Sequence, residues 1–204
     1  MSLWNIEREM VAQGNKVVCG VDEAGRGTLA GPVYAAAVIL PYKIIIPKLN
    51  DSKRLSEKWR NELYDEIVYK AEAYSISFAN NKEIDELNIL NATLLAMNRA
   101  IKALDVKPCI SLIDGNQNSG IEYANKCVIG GDGKSASIAA ASILAKVARD
   151  RYMTEMSEKH PEYAFERNKG YGTKLHFERL REHGPSAIHR RTFLKKLKTV
   201  IHSN

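Results

Sequence analysis

The sequence is poor in cysteine, has no long apolar run, and lacks the catalytic signatures that can be read from a single string. Its three cysteines, Cys19, Cys109 and Cys127, are odd in number and far apart, which argues against both a disulfide framework and a zinc site. Each falls in a segment expected to be a strand, so all three are expected to be reduced core thiols in a cytoplasmic protein. The longest near-apolar stretch, PVYAAAVILP, is half of what spans a bilayer, and no membrane partner is expected. The opening MSLWNIEREMVAQG mixes acidic with apolar residues and has no basic segment leading into an apolar one, the mark of a secretion signal. There is no H-E-x-x-H, no G-x-S-x-G, no internal repeat and no low-complexity tract.

What is present is the composition of a globular domain, 45% hydrophobic and 26% charged over 204 residues. That length suits one α/β domain with a sizeable core and is too short for two ordinary ones. The net charge of +6 is unevenly placed. From residue 163 onward there are ten Lys/Arg against three Glu, which leaves twenty basic against twenty-one acidic residues before it. A basic excess confined to one end points to a polyanionic partner, set against the plainer reading of a solvated surface.

Apolar runs predict strands at 16–21, 33–40, 73–79, 109–113 and 125–129. Helical periodicity fills the gaps. LSEKWRNELYDEIVYKA sets Leu55, Trp59, Leu63, Ile67 and Val68 on one face behind a Ser56 N-cap. NILNATLLAMNRAIKAL repeats the pattern, and SASIAAASILAKVARDRYMTEM has small residues suited to close packing on a sheet. Strand signals stop near residue 160, where KLHFERLREHG and RRTFLKKLKTVI predict short basic helices either side of Gly184-Pro185. The expected architecture is α/β, a mixed sheet flanked by helices. Residues 1–160 are expected to form the core and 161–204 a basic helical segment completing one compact unit.

Three of the expected strands end in carboxylates. VVCGVDEAGRG places Asp22 and Glu23 at the end of an apolar run, CISLIDGN ends in Asp114, and KCVIGGDGKS ends at Asp132. An Asp-Gly at one strand end is ordinary turn chemistry. Three together lie where open α/β sheets bind ligands, and gathered carboxylates repel unless a divalent cation sits among them. An all-oxygen donor set suits Mg²⁺ or Mn²⁺. Adjacent residues on a regular strand face opposite ways, so Gly25 and Gly27 are expected to bend the chain until Asp22 and Glu23 serve one site. Gly-Lys-Ser at 133–135 lacks the glycine at 128 that a P-loop requires; it is expected to open a helix whose N-terminus neighbours phosphate.

The strings GVDEAGRG, AGPVYAAAVIL, LNDSKRLSE, LIDGN, GDGKSASIAAASILAKVARDRYM, NKGYGTKLH and EHGPSAIHRRTF together resemble bacterial ribonuclease HII, a type 2 ribonuclease H. The resemblance runs from about residue 17 to 193. It implies a ribonuclease H-like fold with a five-stranded mixed sheet. It further implies that Asp22, Glu23, Asp114 and Asp132 are catalytic and hold two divalent ions, Mn²⁺ or Mg²⁺. Gly25, Arg26 and Gly27 would contact a ribose 2′-hydroxyl through the backbone, Tyr171 would sense the RNA–DNA junction, and Lys53 with the basic tail would hold phosphates. The implied substrates are RNA/DNA hybrids and DNA duplexes containing ribonucleotides, and the expected state is a monomer. Thr28 stands where that family commonly has proline, which raises the expectation of a looser loop after Gly27. Two other classes stay open on the residues: a metal-dependent DNA nuclease of the same fold, and a non-catalytic nucleic-acid-binding module, which four carboxylates beside phosphates disfavour.

Overall fold

The computed structural model describes residues 2–50, 52 and 55–195. Five strands, β1 (Val18–Ala24), β2 (Val33–Ile39), β3 (Ala73–Ala79), β4 (Ile110–Asp114) and β5 (Asn125–Val128), form one sheet in the order β3-β2-β1-β4-β5. The first three pair antiparallel, β1 and β2 through a short loop and β3 after α2, and β4 joins β1, and β5 joins β4, in parallel. The helices are α1 (Asn5–Ala12), α2 (Glu57–Lys70), α3 (Asn81–Lys102), α4 (Ala136–Lys159), α5 (Phe165–Asn168), α6 (Lys174–His183) and α7 (Arg191–Lys195). No helix among the described residues is long and apolar enough to cross a membrane.

The period-two alternation of β2 fixes the layers. Val33, Ala35, Ala37 and Ile39 pack with Cys19, Val21 and α3 on one face. Ala36 and Val38 pack with α2 and α4 on the other. Small side chains let α4 sit very close to the sheet. A Cβ on Gly20 would lie 2.1 Å from the carbonyl carbon of Ser137, so the first turn of α4 rests directly on β1.

That first turn is capped from outside the helix. Ala136 donates its N–H to Leu3 O at 2.9 Å, Ser137 donates to the buried Glu7 carboxylate at 3.0 Å, and Ile138 donates to Ser135 Oγ at 3.2 Å. Three N–H groups that a helix start leaves without partners are thereby satisfied. Helix α1, which the sequence patterns above do not single out, exists to do this. Helix α2 has its Ser56 cap, with Trp59 N donating to Ser56 Oγ. Trp59 is half exposed on its outer side, with Lys48 Nζ over its ring. Helix α3 begins seven residues before the periodic stretch and breaks at Asn88, whose positive φ and side chain cap the second half through Leu90 and Asn91.

The cysteines depart from expectation. Cys19 is buried, but Cys109 is exposed just ahead of β4 and Cys127 is partly exposed on the edge strand β5. Cys109 precedes the first paired residue of an interior strand and Cys127 lies on an edge strand, so position in the sheet, not residue type, decides their burial.

After α4 the chain turns back across the sheet end. Tyr163, Phe165, Leu180 and Leu194 pack with Met153, Leu29 and Ala30, and Asp85 of α3 accepts the N–H groups of Arg191 and Thr192. Two histidines lie wholly buried within this segment. His176 donates from Nδ1 to Tyr171 O at 2.9 Å, so its Nε2 accepts from His189 Nε2 at 2.9 Å. His189 Nδ1 in turn accepts the Ser186 N–H at 2.9 Å. Both rings are therefore neutral in the fold. Burial is the main cause that pushes His189 down to about 3 and also lowers His176; the charges of His176 and Arg191 depress His189 further. An unfolded chain takes up protons on these rings below ~6.5, while the folded chain resists until much lower. Stability from the pair is complete above that value and is lost as pH falls toward about 3. The melting temperature is expected to drop through this acid window and His189→Gln to flatten the drop; parallel curves for the two proteins would acquit the pair.

Candidate active site

The three strand ends meet. One carboxylate oxygen from each of Asp22, Asp114 and Asp132 lies within 4.8 Å of the others. Asp22 ends the buried part of the central strand β1, and Asp114 ends β4 beside it. Asp132 sits in the short turn Gly131–Gly133 between β5 and α4. Gly131 donates its N–H to Asp114 Oδ1 at 2.6 Å, which ties the turn to the neighbouring strand end. A Cβ at 131 would strike Ile138 and crowd Asp114, so glycine is needed for the approach. The capping of α4 by Leu3 and Glu7 holds the same turn from the other side.

Asp22 is 4% exposed. Its carboxyl is held well above the usual carboxylate range, first by burial and then by the charges of Glu23 and Asp114. Ser142 of α4 and the Glu23 N–H donate to it and oppose that rise. A buried carboxylate crowded by two others calls for a cation to offset the repulsion. The donors are all hard oxygens, which fits Mg²⁺ or Mn²⁺ and not a thiophilic metal. The residues present therefore fit a divalent ion at Asp22, Asp114 and Asp132.

Glu23 is not one of the three whose oxygens lie within 4.8 Å of one another, yet it is close enough that its charge raises Asp22; β1 stays paired through Ala24, with Glu23 opposite Ala35 in register. Glu23 instead lines a cleft with Arg26, Asp114, Asn116 and Met97 of α3, and Arg26 Nη1 lies 3.2 Å from its carboxylate. Asp114 borders both the trio and this cleft.

Gly25, Arg26 and Gly27 follow directly, the first buried and the other two exposed. Gly25 has φ +95°, and a Cβ there would fall 2.0 Å from Arg149 Nε, so both conformation and space demand glycine. The Thr28 side chain is fully buried and hydrogen-bonded to Gly25 O and Ala30 O at 3.1 Å each. The loop is thus bound more tightly than the replacement of proline suggested. Tyr171 is 42% exposed, with Arg149 Cζ and Lys146 Nζ each 5.7 Å from its ring. It is joined to the same loop through Gly170 O, which accepts the Leu29 N–H. Lys53 lies outside the described residues, as does the chain after 195. Within the basic segment, Arg190 is buried and so unavailable to phosphate, whereas Arg167, Lys174, Arg181 and Arg191 are exposed.

Sequence patterns missed Ser142, Arg149, Arg190 and Glu7. A serine in a small-residue helix and an arginine in a basic stretch look like their neighbours. Only the Glu7 position, polar on the inner face of a short amphipathic segment, left a trace.

A five-stranded mixed sheet with carboxylates gathered at adjacent strand ends defines a ribonuclease H-like nuclease fold and site. The Ribonuclease HII family model matches residues 19–196. A protein of Caldicellulosiruptor saccharolyticus named Ribonuclease HII is 51% identical over 194 residues, covering 95% of each chain. The crystal structure of the ribonuclease H2 from Pyrococcus horikoshii superposes with a TM-score of 0.74 at 27% identity, covering 92% of this chain and 100% of that one. Bst-RNase HIII in complex with Mn²⁺ shares the fold at TM-score 0.73 and 18% identity, over 91% of this chain and 70% of its own. The chain belongs to the ribonuclease HII family. It is accordingly an endonuclease of the ribonuclease H type, acting on the RNA strand of RNA/DNA hybrids.

Proposed function

We propose that this protein also incises duplex DNA on the 5′ side of a single embedded ribonucleotide, with Asp22, Glu23, Asp114 and Asp132 holding two divalent ions, Mn²⁺ or Mg²⁺. The observation that carries the proposal is the meeting of the Asp22–Asp114–Asp132 trio with the Gly25–Arg26–Gly27 loop at the end of one strand. Divalent ions bound there supply an activated water and stabilise the leaving oxygen of an in-line displacement. The chain's own part is to place them. Asp22, Glu23, Asp114 and Asp132 would hold the ions, with Asp22 crowded by the charges of both Glu23 and Asp114.

Choice of the ribonucleotide falls to the loop. A 2′-hydroxyl is donor and acceptor at once, and it is what separates RNA from DNA at a given position. The half-exposed ring of Tyr171 offers a flat surface to the adjoining sugar. The exposed cations after residue 163, together with Lys53, grip phosphates and read no bases. All the described groups come from one chain, so a monomer suffices.

Mapping product ends on a duplex with one ribonucleotide, beside an all-DNA duplex and with or without Mn²⁺ or Mg²⁺, tests the reading. The expected products are a DNA 3′-hydroxyl and a 5′-phosphate on the ribonucleotide, with the all-DNA control intact. Tyr171→Ala is expected to lower turnover at this site far more than affinity, because its contact aligns the junction. Cleavage on the 3′ side, or equal cleavage of the control, would favour a DNA nuclease of the same fold.

A further inference from the structure

Two arginines, Arg149 of α4 and Arg190 ahead of α7, are each 0% exposed. Neither spends its donors on a carboxylate. Arg190 donates from Nη2 to Gly25 O at 2.6 Å, from Nη1 to Arg26 O at 2.8 Å and from Nε to Gly31 O at 2.9 Å. Arg149 donates from Nε to Pro32 O at 3.2 Å and from Nη2 to Ala30 O at 3.2 Å and Thr28 Oγ1 at 3.0 Å. The Thr28 hydroxyl, accepting from Arg149, points its own proton at the carbonyls of Gly25 and Ala30. Five carbonyls of one short loop are drawn inward.

Burying two guanidiniums close together with no carboxylate bonded to either is unfavourable. Burial lowers Arg149, and Arg190 is pushed down to about 9 by burial and then by the charge of Arg149. An arrangement with that cost points to a purpose other than stability. The purpose follows from peptide planarity. The chain has no cis peptide, and in a trans peptide the N–H points opposite to the C=O. With the carbonyls of Gly25 and Arg26 turned inward, the N–H groups of Arg26 and Gly27 face outward at the two exposed residues, beside the carboxylate trio. Neither N–H has a backbone partner among the described residues. Two adjacent outward donors want an oxygen acceptor, and a 2′-deoxy sugar offers only C–H.

We infer that Thr28, Arg149 and Arg190 are specificity-determining positioning residues, which choose ribonucleotide over deoxyribonucleotide by fixing the peptide orientation of the Gly25–Arg26–Gly27 loop. The inference rests on the reading of that loop as the 2′-hydroxyl site. None of the three side chains need touch substrate. Thr28 also gains a role that a proline at this position could not fill, having no hydroxyl to bridge Arg149 and Gly25 O.

The test uses the full chain carrying Asp114→Asn to prevent cleavage. Fluorescence anisotropy measures affinity for a duplex with one ribonucleotide and for the all-DNA duplex of the same sequence, in Mg²⁺. The parent is expected to prefer the ribonucleotide duplex. Arg190→Lys, which retains the charge but has one nitrogen in place of the three that reach Gly25 O, Arg26 O and Gly31 O, is expected to reduce that preference about tenfold or more while leaving all-DNA affinity unchanged. Thr28→Val, which removes a single hydroxyl bridge, is expected to reduce it by less. A preference that persists in folded variants, or an equal fall for both duplexes, overturns the inference. Should Arg190→Lys not fold, Thr28→Val decides alone, a reduced preference supporting the inference and an unchanged one overturning it. A parent with no preference overturns the reading of the loop itself, and the inference with it.

Discussion

Asp114→Asn is expected to abolish cleavage while leaving duplex affinity unchanged or higher. Asparagine keeps an oxygen at Oδ1 that can accept the Gly131 N–H, now bonded at 2.6 Å, so the turn bearing Asp132 stays in place. What is lost is one negative charge from a trio within 4.8 Å of one another. Two effects then separate. Phosphate approaches a less negative site, which favours binding, and Asp22 is relieved of one of the charges that raise it. The reaction meanwhile loses part of the anionic cage for its divalent ions, and turnover is expected to fall by ~10²–10³-fold or more, the scale of losing one preorganised charge-stabilising group. Single-turnover cleavage and anisotropy on the same duplex check both halves. Near-native turnover at saturating Mn²⁺ would remove Asp114 from the ligand set.

Gly20→Ala is expected to be strongly destabilising. The added carbon would meet the Ser137 carbonyl carbon at 2.1 Å and Ile138 N at 2.3 Å, and neither is a side chain that can rotate aside. Strand β1 lies between β2 and β4, so α4 must yield. Overpacking of this kind costs ~1–3 kcal/mol and occasionally more, which at this chain length lowers the melting temperature by roughly 2–4 °C per kcal/mol. The same displacement would disturb the bonds from Ser137 to Glu7 and from Ala136 to Leu3, and so the turn that holds Asp132. The expected result is a lower urea midpoint together with a higher metal concentration for half-maximal activity. A fall in stability with unchanged metal dependence would show that the first turn of α4 and the Asp132 turn are independent.

Much of this architecture is legible in the residues because the signals are local. β3 occupies 73–79 as expected, since SISF lies between a helix end and the Asn80 cap. The Asp22, Asp114 and Asp132 strand ends converge because each closes an apolar run, and apolar runs make adjacent strands. What was not legible depends on direction. Asp22 and Glu23 were expected to share one site; on a strand that stays paired through Ala24 Glu23 is not one of the 4.8 Å trio, while its charge still raises Asp22 and it lines a cleft with Asp114. Arg190 counted as one more charge in a basic stretch, and nothing in its neighbours says that it points inward at carbonyls 165 residues away. Cys109 was assigned to the core on its apolar flank, and its exposure follows from a strand that begins one residue later. Thr28 was expected to loosen its loop, and its burial against Arg149 does the reverse.

The 165-residue separation between Arg190 and Gly25 also orders events as the chain is made. Domains fold as units during synthesis, with early segments available first. The five strands and the three aspartates all lie before residue 159, the end of α4, whereas the loop proposed to contact the sugar is held in part by Arg190. On that proposal, a nascent chain paused before Arg190 would hold the cutting groups with Thr28 and Arg149 in place but one of the three side chains that fix the loop still missing.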